Sequence, residues 1–307
     1  LNEFLKDKLQ SLASGDQPFA LFAHYSGAHH PYSPSPAFRD SFELPKSMTP
    51  EDVIELSFEV TSDPYTTMAE PGSVTDEEWD AIRALYDGLL KQVDSLMGRI
   101  IETLDSCGLT EDTIVVFTSD HGDLLGEQGF LSHKLFLHDS LIQVPVVVHG
   151  SERVAGADHD NLQHIDIVQT ILDEVGASTD GMHGDTLPGA SRGFTISQRG
   201  AETADKTLDR VREHNPNFDH DKIQLGLLTA LRSDGWKTIR GEKETVLYEL
   251  PDEAVDRSSD YPEQTDQHSA QIEAWLEEFG EPLFSDEQAD FSDEVEDRLA
   301  DLGYIVQ

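Results

Sequence analysis

Thr113-Ile114-Val115-Val116-Phe117-Thr118-Ser119-Asp120-His121-Gly122-Asp123, followed by Gly126, Gly129 and His133-Lys134, is the stretch around which the chain is organised. A continuous run of β-branched and aromatic residues stops abruptly at Ser-Asp-His-Gly. Such a run reads as a strand buried on both faces, as in a parallel sheet covered by helices. Ligands of open α/β sheets bind just beyond the carboxyl ends of the strands. Asp120 and His121 fall at that point, one an oxygen ligand and the other a nitrogen ligand. The glycines beyond them let backbone approach whatever is bound. Lys134 adds a positive charge able to reach an anionic group. A metal, an anion and a cationic side chain at one strand end point to ester hydrolysis. Asp and Gly after a strand are also ordinary turn residues, and spacing alone does not separate a turn from a metal site.

The wider segment TIVVFTSDHGDLLGEQGFLSHKLFLHDSLIQVPVVVHG closely resembles the metal-ligand segment of the sulfatases, within the alkaline-phosphatase superfamily. The family order is a strand, Ser-Asp-His/Asn-Gly, Gly-Glu-x-Gly, a Lys, an acidic residue and an apolar segment with Val-Pro. Ser119 to Gly122, Gly126 to Gly129, Lys134, Asp139 and Val144-Pro145 stand in those places. A second strand candidate, Phe19 to Tyr25, runs into Gly27-Ala28-His29-His30-Pro31-Tyr32. That loop resembles the family's Pro/Ala-His-x-Pro-Tyr, with His29 in the place of the His that donates to the sulfate ester. The resemblance therefore implies Asp120 and His121 as metal ligands and Lys134 and His29 as catalytic contacts to the sulfate. It implies one divalent ion, Ca²⁺ first and Mn²⁺ as the alternative, since a nitrogen ligand suits Mn²⁺ better than Ca²⁺.

The resemblance also implies a formylglycine nucleophile made from a Cys/Ser-x-Pro-x-Arg motif, and that motif occurs nowhere in the 307 residues. Cys107 is followed by Gly-Leu-Thr, and Ser33-Pro34-Ser35-Pro36 has the wrong spacing. The chain, which starts at Leu1, reads as the later part of a longer protein, and no turnover is expected from it alone. The substrate expected of the whole enzyme is a small-molecule or carbohydrate sulfate ester. A phosphodiesterase or phosphonate monoester hydrolase on the same scaffold, and a non-catalytic relative, are the alternatives.

Composition sets the outer bounds. With 61 acidic residues against 21 basic ones the net charge is −40, which repels nucleic acid and anionic membrane alike. Acidity spread along the whole chain resembles that of halophile proteins, where dense salt screens self-repulsion. A single cysteine, Cys107, excludes an internal disulfide and reads as a small buried thiol at a helix end. No stretch is apolar enough to span a bilayer. Acidity and the lack of disulfides together fit a salt-rich cytoplasm.

The fold class expected is α/β: part of an alkaline-phosphatase-like sandwich with a largely parallel central sheet, plus a small antiparallel C-terminal subdomain. Residues 1–200 read as the later part of the catalytic domain, 201–255 as the subdomain and 256–307 as an acidic helical tail. Leu1, Phe4, Leu5, Leu9 and Leu12 recur at helical spacing. Residues 33 to 74, rich in proline and without clear periodicity, read as a substrate-side loop. A capping box at Thr75 to Glu78 starts a helix whose apolar face runs from Trp79 to Leu104, with Gly108 as its stop, roughly 45 Å long. Leu141 to His149 reads as the next strand, and Ile165 to Val175 as a helix in which His164 and Asp166 are structural. Leu225 to Arg232, Trp236 to Arg240 and Val246 to Leu250 read as short strands, followed by helices near 267–279 and 285–302.

Overall fold

The architecture, taken from a computed structural model, is described for residues 2–155, 161–188, 193–219 and 223–280. Helix α1 (Asn2–Ala13) lays Leu5 and Leu9 against Leu104. The segment from 33 to 74, expected to be loop, is mostly helical: α2 (Pro36–Arg39), α3 (Pro50–Thr61) and α4 (Pro64–Ala69). Pro36, Pro50 and Pro64 occupy first-turn positions, where the missing N–H costs nothing. Thr49 and Asp52 form a reciprocal capping box at α3, which buries Val53, Ser57 and Val60. Proline there starts helices instead of breaking them. The long helix α5 (Asp76–Ser106) follows, with the Thr75–Glu78 capping box and a left-handed Gly108 (φ 69°) just beyond its end. Cys107 is its half-buried C-cap.

Strand β1 (Val115–Thr118) leads to a minimal hairpin, β2 (Leu124–Leu125) and β3 (Leu131–Ser132), then to α6 (Asp139–Ile142) and β4 (Val146–His149). The first half of the expected Leu141–His149 strand is thus a helical turn and a Val-Pro link. β1 pairs with β4 antiparallel, Val115 opposite His149 and Thr118 opposite Val146. Parallel pairing, expected for this sheet, is not seen among the described strands. Val115 to Phe117 of β1 are half-buried instead of fully enclosed, Thr118 is exposed, and Val147 on β4 is 59% exposed. Phe19 to Tyr25 joins no ladder among the described residues, and Phe22 stands in solvent. Its composition suits a strand; a strand also needs a neighbour to bond.

Helices α7 (Glu152–Ala155) and α8 (His164–Glu174) pack against this pair through Val154 and Ile167, with Leu187 in the same cluster. Asp166 is buried and structural, as expected: its carboxylate accepts from the backbone N–H groups of Gln163 and Asp185. His164 Nε2 meets Thr118 Oγ1 at 2.9 Å. A four-stranded antiparallel sheet follows, in the order β5 (Thr195–Arg199), β6 (Leu228–Ser233), β7 (Trp236–Arg240), β8 (Thr245–Glu249). Its first strand lies upstream of residue 201. Between β5 and β6, α9 (Ala201–His214) turns back to pack on α4. Helix α10 (Pro262–Phe279) covers the sheet through Ile272 and Trp275. The second expected tail helix, 285–302, lies outside the described residues. No described helix is long and apolar enough to cross a membrane.

Two apolar clusters hold the hairpin between them. Leu125 and Leu131 pack with Trp79, Ile82 and Leu85 of α5 and Val53 of α3. Leu124 packs instead with Met68 of α4 and Leu208 of α9. Each buried leucine contributes about 1.5–3 kcal/mol, so three of them fix a two-stranded unit too short to stand alone.

Candidate functional site

The site is built outward from the end of β1. Thr118 Oγ1 donates to Pro145 O at 2.9 Å, tying the strand end to β4. The chain then turns tightly: Ser119 Oγ donates to His121 O at 2.6 Å, and Asp120 Oδ1 accepts from His121 N at 3.0 Å. Gly122 N donates to Leu141 O at 2.9 Å, and a Cβ at this glycine would sit 2.0 Å from Ser140 O. Only glycine allows that approach, which is why the turn can place Asp120 and His121 side by side. His121 Nδ1 faces Gly122 O at 2.8 Å, and Nε2 lies 3.8 Å from Asp120 Oδ2.

The hairpin register does the rest. Leu124 opposes Ser132 and Leu125 opposes Leu131, so the next pair outward is Asp123 and His133. Asp123 Oδ1 meets His133 Nδ1 at 2.9 Å, and Asp123 Oδ2 accepts from the Tyr32 hydroxyl at 2.8 Å. The His133 ring stacks on that of His121, centroids 3.9 Å apart. From the Ala28–Tyr32 loop, the rings of His29 and His30 stand 5.8 and 6.5 Å from His133. His29 Nδ1 contacts His30 O at 2.9 Å. Four imidazoles and two carboxylates thus gather where β1 ends.

Burial pushes the Asp123 carboxyl up, but the contacts from His133 and Tyr32 outweigh it, and its pKa falls below the ordinary value. Tyr32, fully buried, has its hydroxyl pKa raised by that burial and by the Asp123 charge. Burial lowers His133 despite the pull of Asp123, and burial together with His29 brings His30 down to about 4. The neutral forms of His133 and His30 are therefore favoured.

Of the residues singled out by sequence, Asp120 and His121 are adjacent, and His29 reaches the same cluster through His133. Lys134 turns to α4, where its ammonium donates to the Tyr65 hydroxyl at 3.0 Å and lies 5.5 Å from that ring's centroid. Asp123, His133 and Tyr32 were not assigned roles from sequence. The signal existed: glycines at 126 and 129 frame a tight hairpin, and pairing across it brings position 123 opposite 133.

A divalent cation fits this donor set. A carboxylate oxygen and an imidazole nitrogen sit together at the strand end, with a second carboxylate–imidazole pair against them.

The α/β scaffold thus presents carboxylate and imidazole donors together at one strand end. Residues 1–177 match the sulfatase family model, and the chain belongs to the sulfatase family. It is 28% identical over 169 residues to a choline-sulfatase of Rhizobium meliloti (strain 1021), covering 53% of this chain and 32% of that protein. It is 36% identical over 112 residues to the multifunctional alkaline phosphatase superfamily protein PehA of Trinickia caryophylli, covering 35% and 22%. Against arylsulfatase K of Bos taurus it is 26% identical over 281 residues, covering 82% and 50%. The chain spans at most half the length of these relatives. The phosphonate monoester hydrolase of Agrobacterium radiobacter shares the fold, with a TM-score of 0.68 at 20% identity over 90% of this chain and 60% of that one.

Proposed function

We propose that this chain carries the metal-binding and oxyanion-binding part of a sulfuric ester hydrolase. The observation behind the reading is the convergence of Asp120, His121 and His29 on one strand end, with Lys134 next in sequence to His133. Asp120 and His121 would hold one divalent ion. Such an ion, when bound, neutralises sulfate oxygens and acidifies the attacking hydroxyl. His29, oriented by its Nδ1 contact to His30 O, presents its other ring nitrogen to the ester. Lys134 has three donor hydrogens; one goes to Tyr65, and the others suit an oxyanion. The formylglycine nucleophile would come from a Cys/Ser-x-Pro-x-Arg motif, which these 307 residues lack. The polypeptide alone is therefore expected to be silent.

Relatives named as choline-sulfatase and arylsulfatase K favour a small-molecule or carbohydrate sulfate ester as substrate. The PehA relative, described as multifunctional, favours a second reading in which phosphonate monoesters or phosphodiesters are also cleaved. Comparing 4-nitrophenyl sulfate with a bis-aryl phosphate on the complete enzyme separates the two. Chelator-sensitive sulfate release that Asp120→Asn and His121→Ala abolish supports the proposal. Sulfate release indifferent to both substitutions defeats it.

A further inference from the structure

Sequence comparison draws attention to Asp120 and His121, yet the groups that close around His121 come from the hairpin. We propose that His133 is a second nitrogen ligand of the metal at this strand end, shared with His121 and oriented by Asp123. The proposal rests on the hydrolase reading above, because it takes the strand-end metal as given.

Three observations carry it. His133 directs Nδ1 at the Asp123 carboxylate, 2.9 Å away, which fixes the tautomer and makes Nε2 the ligating atom. His121 is arranged alike, with Nδ1 against Gly122 O and Nε2 toward Asp120. The two rings stack with centroids 3.9 Å apart, and one ligand atom from each of His121, Asp123 and His133, a ring nitrogen or a carboxylate oxygen, lies within 4.8 Å of the others.

The carboxylate behind His133 is itself held. Tyr32, buried completely, donates to Asp123 Oδ2 at 2.8 Å, and Ser57 Oγ donates to Tyr32 O at 2.8 Å. A carboxylate braced in this way acts as an outer partner that keeps an imidazole aimed. Helix α3 therefore stands behind the metal ligand through two hydrogen bonds. Ca²⁺ takes six to eight oxygen ligands, whereas two imidazoles suit Mn²⁺, Co²⁺ or Zn²⁺. The structure thus assigns the site to a nitrogen-seeking ion.

The test is calorimetric titration of the metal-free protein with Co²⁺, Zn²⁺, Mn²⁺ and Ca²⁺, with the visible spectrum of Co²⁺ as a second readout of ligand type. The expected result is binding of Co²⁺ and Zn²⁺ at least 100-fold tighter than Ca²⁺. His133→Ala and His133→Gln should each weaken Co²⁺ at least 10-fold and change its spectrum. Asp123→Asn should weaken it about 10- to 100-fold, the cost typical of a lost outer partner. Far-UV circular dichroism and urea midpoints identify any variant that fails to fold; the glutamine variant, closer in shape, then decides. Co²⁺ affinity and spectrum unchanged in both His133 variants, or Ca²⁺ binding equal to Co²⁺, overturns the proposal. If Asp120→Asn and His121→Ala lose the metal while the His133 variants keep it, only the His133 assignment falls. If none of the four substitutions matters, the strand-end metal site falls with it.

Discussion

Lys237→Met tests whether a buried ion cluster ties the C-terminal sheet to the segment that follows the site. Lys237, on β7, has no exposed surface, and its ammonium donates to Leu137 O and Asp139 Oδ1, each at 2.9 Å, while pairing with Glu253. Asp139 and Glu253 side chains are only 18% and 12% exposed. Removing one partner of a buried pair typically costs about 3–5 kcal/mol, because the remaining charge is stranded. Here the cost should sit at the low end, about 3 kcal/mol, since Asp139 keeps Arg232 at 3.4 Å and Glu253 keeps the Asp139 N–H at 2.7 Å. With a urea dependence of about 3 kcal/mol per molar, the midpoint should drop by roughly 1 M, followed by tryptophan fluorescence. The loss should be similar in 0.1 M and 2 M KCl, because salt screens buried pairs poorly. Adding Asp139→Asn and Glu253→Gln to Lys237→Met should restore most of it. A single-variant loss below about 1 kcal/mol, or no recovery in the triple variant, refutes the reasoning.

Four further expectations follow from other parts of the molecule. His138 is buried, and that burial, with Lys237 nearby, lowers its pKa from 6.5 to about 4. Between those values the unfolded chain binds a proton that the folded one refuses, so stability falls as pH drops from 6.5 to 4, by up to about 3 kcal/mol; urea midpoints of His138→Gln should be flatter over that window than wild type. Gly122→Ala would place its Cβ 2.0 Å from Ser140 O, so it should cost about 1–3 kcal/mol and weaken Co²⁺ binding through the displaced His121. Thr75→Ala removes the α5 capping box and should cost about 1 kcal/mol in urea unfolding without altering metal affinity. A net charge of −40 predicts that the melting temperature rises steeply with KCl; a flat profile from 0.1 to 2 M would contradict the halophile reading.

Local chemistry, visible in the sequence, fixed much of this protein. Thr75 with Glu78 started α5, Gly108 followed its end, and Ser-Asp-His-Gly set Asp120 and His121 at the end of β1. The family was legible too, since its motifs lie in short, ordered segments. Proline misled between residues 33 and 74, because Pro50 and Pro64 open helices and only their caps, Thr49 and Asp63, reveal it. What the sequence could not decide is pairing across space. Phe19 to Tyr25 has strand composition but no ladder among the described residues, and β1 meets β4 antiparallel. Asp123, His133 and Tyr32 became neighbours only when the hairpin closed between two apolar clusters and α3 brought a buried hydroxyl behind it. Periodicity reports which face of an element is apolar; which imidazole meets which carboxylate depends on register and packing, and those belong to the folded molecule.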